Sequence, residues 1–102
     1  MNSYQFTNSW FQNSKPTWDL LIPNLNPTTI LEVGSYEGAS TCYLIDNLSN
    51  SKNLEIHCVD TWEGGIEHQI GGSAIADMNL VEKRFLHNTK ISISNSVNKV
   101  NL

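Results

Sequence analysis

Polar residues dominate the first 14 positions, broken by isolated aromatics at Tyr4, Phe6, Trp10 and Phe11, and this pattern predicts a loosely held arm over residues 1–16. Beyond it, Trp18, Leu21, Ile22 and Leu25 recur at helical spacing. Thr17 is the expected N-cap, behind Lys15 and Pro16, and Pro23 limits the regularity of the helix. "NPTT" at 26–29 reads as a turn. Ile30 to Val33 is a short apolar run bounded by turn signals, the pattern of a buried parallel strand.

From Ala39 to Leu48 the rhythm turns helical, with Cys42, Ile45 and Leu48 on one side and "SNSKN" ending it. Leu54 to Val59 is a second strand that stops at Asp60, followed by a loop holding four glycines between residues 61 and 73. Residues 74–88 predict a further helix with Ile75, Met78, Val81 and Phe85 as its inward stripe. "ISIS" at 91–94 alternates like a short extended piece, and Lys99 to Leu102 opens a third strand. Strands separated by helices imply right-handed crossovers and a parallel sheet. The expected fold class is therefore α/β, a truncated Rossmann-like parallel sheet with flanking helices over residues 17–102, incomplete at the C-terminus.

Composition narrows the partners. A chain of 102 residues, 39% hydrophobic, suffices for one small domain. With a net charge of -4 and six scattered basic residues, it lacks the clustered cations that nucleic acids and acidic membranes reward. Neither a membrane-spanning run nor a secretory leader is legible, so the expectation is a cytoplasmic protein. Cys42 and Cys58 are expected to be buried, reduced thiols; a metal pair would need closer spacing and further ligands.

In such a sheet, ligands bind beyond the carboxyl ends of the strands. Gly34 and Gly38 let the chain turn tightly or let a ligand approach its backbone, and the helix that follows points N–H groups at whatever is bound. Asp60, 22 residues after Gly38, stands where a carboxylate accepts from two ribose hydroxyls. To this point NAD and S-adenosylmethionine fit equally. Charge then separates them, because Glu32, Glu37, Asp60, Glu63 and Glu67 all lie in or beside the two loops, and no Lys or Arg occurs between Lys15 and Lys52 or between Lys52 and Lys83. A pyrophosphate 4 Å from Glu32 would meet a repulsion of about 4 kcal/mol at an effective dielectric near 20. A sulfonium with an α-ammonium would instead be attracted. The G-x-x-x-G spacing also departs from G-x-G-x-x-G.

"ILEVGSYEG" with "CVDTWEGG" resembles the class I S-adenosylmethionine-dependent methyltransferases, in the branch whose first motif reads E-x-G-S-x-x-G. The resemblance covers the N-terminal half of that family's seven-stranded fold. It implies S-adenosyl-L-methionine as cofactor and methyl transfer to a small-molecule or sugar acceptor that the sequence does not identify. By this resemblance Glu32 would hold the methionine amino group, and Gly34, Ser35, Tyr36 and Gly38 would form the turn around the methionine moiety. Asp60 would take the ribose, with Thr61 beside it and Trp62 packing against the adenine.

His68, in the glycine-hinged "GGIEHQIGG", is a weak catalytic candidate, since a polar residue of such a loop is ordinarily only solvated. A metal site from Glu63, Glu67 and His68 is not expected. His57 reads as a satisfied structural histidine and His87 as an exposed one. The resemblance would make the first strand central and leave its outer edge open, a route to a homo-oligomer or to a complementing chain. Two other readings stand beside a methyltransferase segment that is inactive or weak alone: a non-catalytic interaction module, and a nucleotide-binding fragment of an NAD-type enzyme.

Overall fold

The computed structural model describes residues 3–49, 52–60, 62, 78–96 and 98–102. After a 3-10 turn at Trp10–Asn13, the elements run α1 (Lys15–Leu25), β1 (Thr29–Val33), α2 (Ala39–Leu48), β2 (Leu54–Val59), α3 (Met78–Asn95) and β3 (Val100–Asn101). The three strands form one parallel sheet in the order β1-β2-β3. The protein is a small α/β domain, as the alternation of strand and helix patterns predicts. No helix among the described residues is long and apolar enough to cross a membrane.

β1 and β2 alternate strictly. Ile30 and Glu32 of β1, with Leu54, Ile56 and Cys58 of β2, turn toward the helices, while Leu31, Val33, Glu55, His57 and Val59 are exposed on the opposite face. Among the described residues the core is therefore one-sided: Tyr43, Leu44, Ile45 and Leu48 of α2 close over Leu54 and Ile56, with Trp18, Ile22 and Phe11 packed at the margin. Phe11, Trp18 and Tyr43 meet edge to face, with ring centroids 4.9 to 5.8 Å apart.

Four expectations need correction. The first helix begins at Lys15 and not after Thr17; Pro16 sits in its first turn, where a missing N–H costs nothing. Pro23 is accommodated in the last turn, which closes where Asn26 in the left-handed region (φ 45°) donates its N–H to Ile22 O at 2.8 Å.

"ISIS" is helical, because α3 runs on to Asn95 and buries Ile91 and Ser92. The inward face of that last half is polar: Asn88, Thr89 and Ser92 are each at most 3% exposed. A pattern read from apolar residues alone ends this helix early. Val81 and Phe85 are buried as expected, whereas Ile75 lies outside the described residues.

The N-terminal arm is not loose. Gln5 donates its N–H to Asn88 Oδ1 at 2.6 Å, Thr7 donates both its N–H (2.9 Å) and its hydroxyl (2.6 Å) to Glu37, and Tyr4 donates to Asp46 at 2.8 Å. Finally, His57 is exposed rather than structural, with its ring nitrogen 2.6 Å from Glu55 Oε2.

Candidate functional site

β1 and β2 run in register from Thr29 opposite Glu55 to Val33 opposite Val59, so Gly34 and Asp60 leave the sheet side by side. Gly34 donates its N–H to Val59 O at 2.8 Å, which extends the ladder one residue before the chain turns. Gly34 and Gly38 both adopt positive φ, 83° and 88°. A Cβ on Gly34 would meet nothing within 4 Å, whereas one on Gly38 would stand 3.1 Å from the Phe85 ring. Gly34 therefore faces open space, and Gly38 lets α2 approach α3.

Asp60 braces this turn. Its Oδ2 accepts the Tyr36 N–H and its Oδ1 the Trp62 N–H, each at 2.9 Å, and Trp62 Nε1 donates to Tyr36 O at 3.0 Å. Tyr36 and Trp62 are both in the left-handed region, φ 50° and 51°, which bulky side chains rarely enter. The closed circuit of Asp60, Tyr36 and Trp62 holds both there, and strain of this kind collects at functional sites. The Trp62 ring packs on Phe85, with centroids 5.0 Å apart.

Glu32 points from β1 toward the helices and is 9% exposed. It accepts the Ser40 hydroxyl at 2.6 Å, the Thr41 hydroxyl, and the Cys58 thiol at 3.9 Å. A carboxylate offers about four acceptor positions, so this set does not saturate it. Ser35 is buried beside the Cys58 thiol, and among the described residues its hydroxyl makes no hydrogen bond of ordinary geometry. Burial raises the Cys58 thiol above its ordinary range, with the Ser35 contact opposing and the Glu32 charge adding.

Glu37 departs from the acidic funnel that the sequence implies. It is 2% exposed, held by Thr7, and paired with Arg84 at 3.4 Å. Arg84 arrives from α3, so counting cations only within the loops misses it. Tyr36 is pushed up by burial and by the Glu37 charge, with Arg84 opposing.

Over the turn lies a cavity of about 130 Å³, bounded by Trp10, Phe11, Gly34, Tyr36 and Ser40. Trp10 and Tyr36 rings stand 5.2 Å apart. The arm supplies the outer wall, a contribution that no motif announces. A larger cavity of about 220 Å³ lies under the arm among Phe6, Lys15, Tyr43 and Asp46.

Of the residues expected to hold a cofactor, Gly34, Ser35, Tyr36 and Gly38 form one turn, Asp60 and Trp62 are bonded to it, and Glu32 lies beneath its helix. Thr61 and His68 lie outside the described residues, as do Glu63 and Glu67. Among the described residues no group of three or more His, Cys, Asp or Glu is placed to hold a metal ion. Comparison with protein-family models, curated proteins and solved structures finds no match.

Proposed function

We propose that the turn Gly34–Gly38 with Asp60 is a binding site for an adenosyl cofactor, S-adenosyl-L-methionine, and that the domain serves a methyltransferase reaction. The observation that carries this reading is the junction of Asp60 with the glycine turn at the carboxyl edge of a parallel sheet, where α/β proteins take nucleosides. Three features support the fit. Among the described residues Gly34 opens onto free space, the buried Ser35 hydroxyl lacks a regular partner, and Glu32 retains acceptor capacity.

The walls favour a cation. Trp10, Phe11 and Tyr36 offer aromatic faces to a sulfonium, an attraction of about 0.5–2 kcal/mol. Glu32 and Asp60, which flank the turn outside the cavity's lining, add negative charge, and Arg84, which reaches the turn from α3, is already paired with Glu37 of that lining.

In this reading the methionine portion occupies the cavity over the turn and the nucleoside runs toward Asp60, whose carboxylate exchanges its hold on Tyr36 for ribose hydroxyls. The cavity is smaller than the several hundred Å³ typical of sites that enclose a whole ligand, so the expected affinity is micromolar. The bound cofactor would supply an activated methyl group on sulfur, and the methyl acceptor is left open.

Isothermal calorimetry with S-adenosylmethionine and S-adenosylhomocysteine tests the proposal. Micromolar binding that Asp60→Ala weakens at least tenfold supports it, and heats indistinguishable from buffer with both ligands refute it. An NADH titration is expected to be silent.

A further inference from the structure

The larger cavity, under the N-terminal arm, is built by two periodicities. Ala39, Cys42, Tyr43 and Asp46 fall at i, i+3, i+4 and i+7 of α2, so one face of that helix forms its floor. The arm crosses above with Tyr4, Phe6 and Asn8, every second residue, on the lining. The residues between them, Gln5 and Thr7, bond instead to Asn88 and Glu37. Phe11 and Lys15 add to the walls.

Size and chemistry define what fits. An apolar cavity of about 150 Å³ holds benzene, so this one, at about 220 Å³, has room for a ring with a short chain. Tyr4 and Phe6 stack with centroids 5.2 Å apart, and Phe11 meets Tyr43 edge to face at 5.3 Å, which makes the walls largely aromatic. Among the described residues the lining holds two charged side chains, Lys15 and Asp46. Lys15 is already paired at 3.2 Å with Asp19, which also accepts the Tyr43 hydroxyl at 2.6 Å. Asp46 accepts the Tyr4 hydroxyl at 2.8 Å, and a carboxylate has further acceptor positions for another donor. Asp19 and Asp46 thus set two acids against the one cation of Lys15, and aromatic faces add to the attraction for a second cation.

We propose that this cavity binds a small arylalkyl ammonium, its ring among Phe6, Phe11 and Tyr43 and its charged nitrogen on Asp46. Ala39 and Asp46 stand two turns apart on one helix face, about 10 Å, close to the length of a ring with a two-carbon ammonium chain. The lining shares Asn8, Phe11 and Ala39 with the cavity over the glycine turn, so an occupant sits beside the proposed cofactor, where a methyl acceptor belongs. That last role rests on the cofactor reading; the binding itself does not.

Phenethylamine is the probe, titrated into the labelled whole chain with no adenosyl ligand present and followed in proton–nitrogen correlation spectra. Saturable shifts are expected at the amides of Phe6, Cys42, Tyr43 and Asp46, with a dissociation constant on the order of 1 mM, ordinary for so small a ligand. Phenylethanol, which lacks the charge, is expected to bind about tenfold more weakly, and phenylpropionate, an anion of similar shape, not at all. Asp46→Asn, which keeps an acceptor for Tyr4, is expected to weaken the amine about tenfold, and Glu82→Gln, exposed on α3, to leave it unchanged. The ligand series needs no variant, so it holds whatever Asp46→Asn does to folding. No shifts at about 10 mM amine overturn the proposal. So do shifts centred on Gly34 and Tyr36, phenylethanol or phenylpropionate binding as tightly as the amine, or a folded Asp46→Asn chain that binds it unchanged. The cofactor reading stands or falls separately, on the adenosyl titrations.

Discussion

Asp60, at the tip of β2, accepts the backbone N–H of Tyr36, three residues past the end of β1, at 2.9 Å. This bond ties two neighbouring strand ends into one turn. The same carboxylate takes the Trp62 N–H, so its removal orphans two donors at once. Asp60→Ala is expected to lower stability by about 1.5–3 kcal/mol, the range for hydrogen bonds to a charged group. Asp60→Asn, which keeps one acceptor, should lose less. Urea midpoints for the three chains check the order.

The two glycines of the turn separate backbone strain from crowding. Gly34→Ala places a Cβ in open space at φ 83°, and the strain alone is expected to cost about 1 kcal/mol. Gly38→Ala adds a 3.1 Å approach to the Phe85 ring, itself wedged against Trp62, and is expected to cost about 2–4 kcal/mol. Thermal or urea unfolding that ranks the two the other way would contradict the packing described for α2 on α3.

Alkaline pH should loosen the domain. Burial raises the Cys42 thiol from its ordinary 9.0 to about 12, with Ser92 opposing and the Asp46 and Glu32 charges adding, and burial raises Cys58 as well. Above about pH 9 the unfolded chain gives up thiol protons that the folded chain keeps, so the contribution is whole below that pH and is lost as pH rises toward about 12. Urea midpoints are expected to be level from about pH 7 to 8.5 and to fall beyond, more gently in Cys42→Ala.

The sheet, α2 and the glycine turn were legible in the sequence because each announces itself locally: alternation in Leu54–Val59, helical spacing from Ala39 to Leu48, and glycines at 34 and 38. What escaped was long-range and polar. Asn88 donates to Glu37 O at 2.9 Å and accepts from Gln5 N at 2.6 Å. It thereby fastens the arm to the turn, yet an asparagine at a core position of a helix carries no apolar signal. Arg84 cancels the Glu37 charge from 47 residues away. The sequence places two carboxylates at the strand ends, but carries no sign that Glu32 takes hydroxyls of α2 and Asp60 takes backbone amides.

The central claim is that an adenosyl ligand enters over the turn that Asp60 holds. Proton–nitrogen correlation spectra of the uniformly labelled chain, titrated with S-adenosylhomocysteine, test it most directly. The account predicts saturable shifts centred on the amides of Gly34, Ser35, Tyr36, Gly38 and Trp62, with Tyr36 moving far as Asp60 releases it. Shifts confined to the cavity under the arm, around Phe6, Lys15 and Tyr43, or no shifts at millimolar ligand, would contradict it.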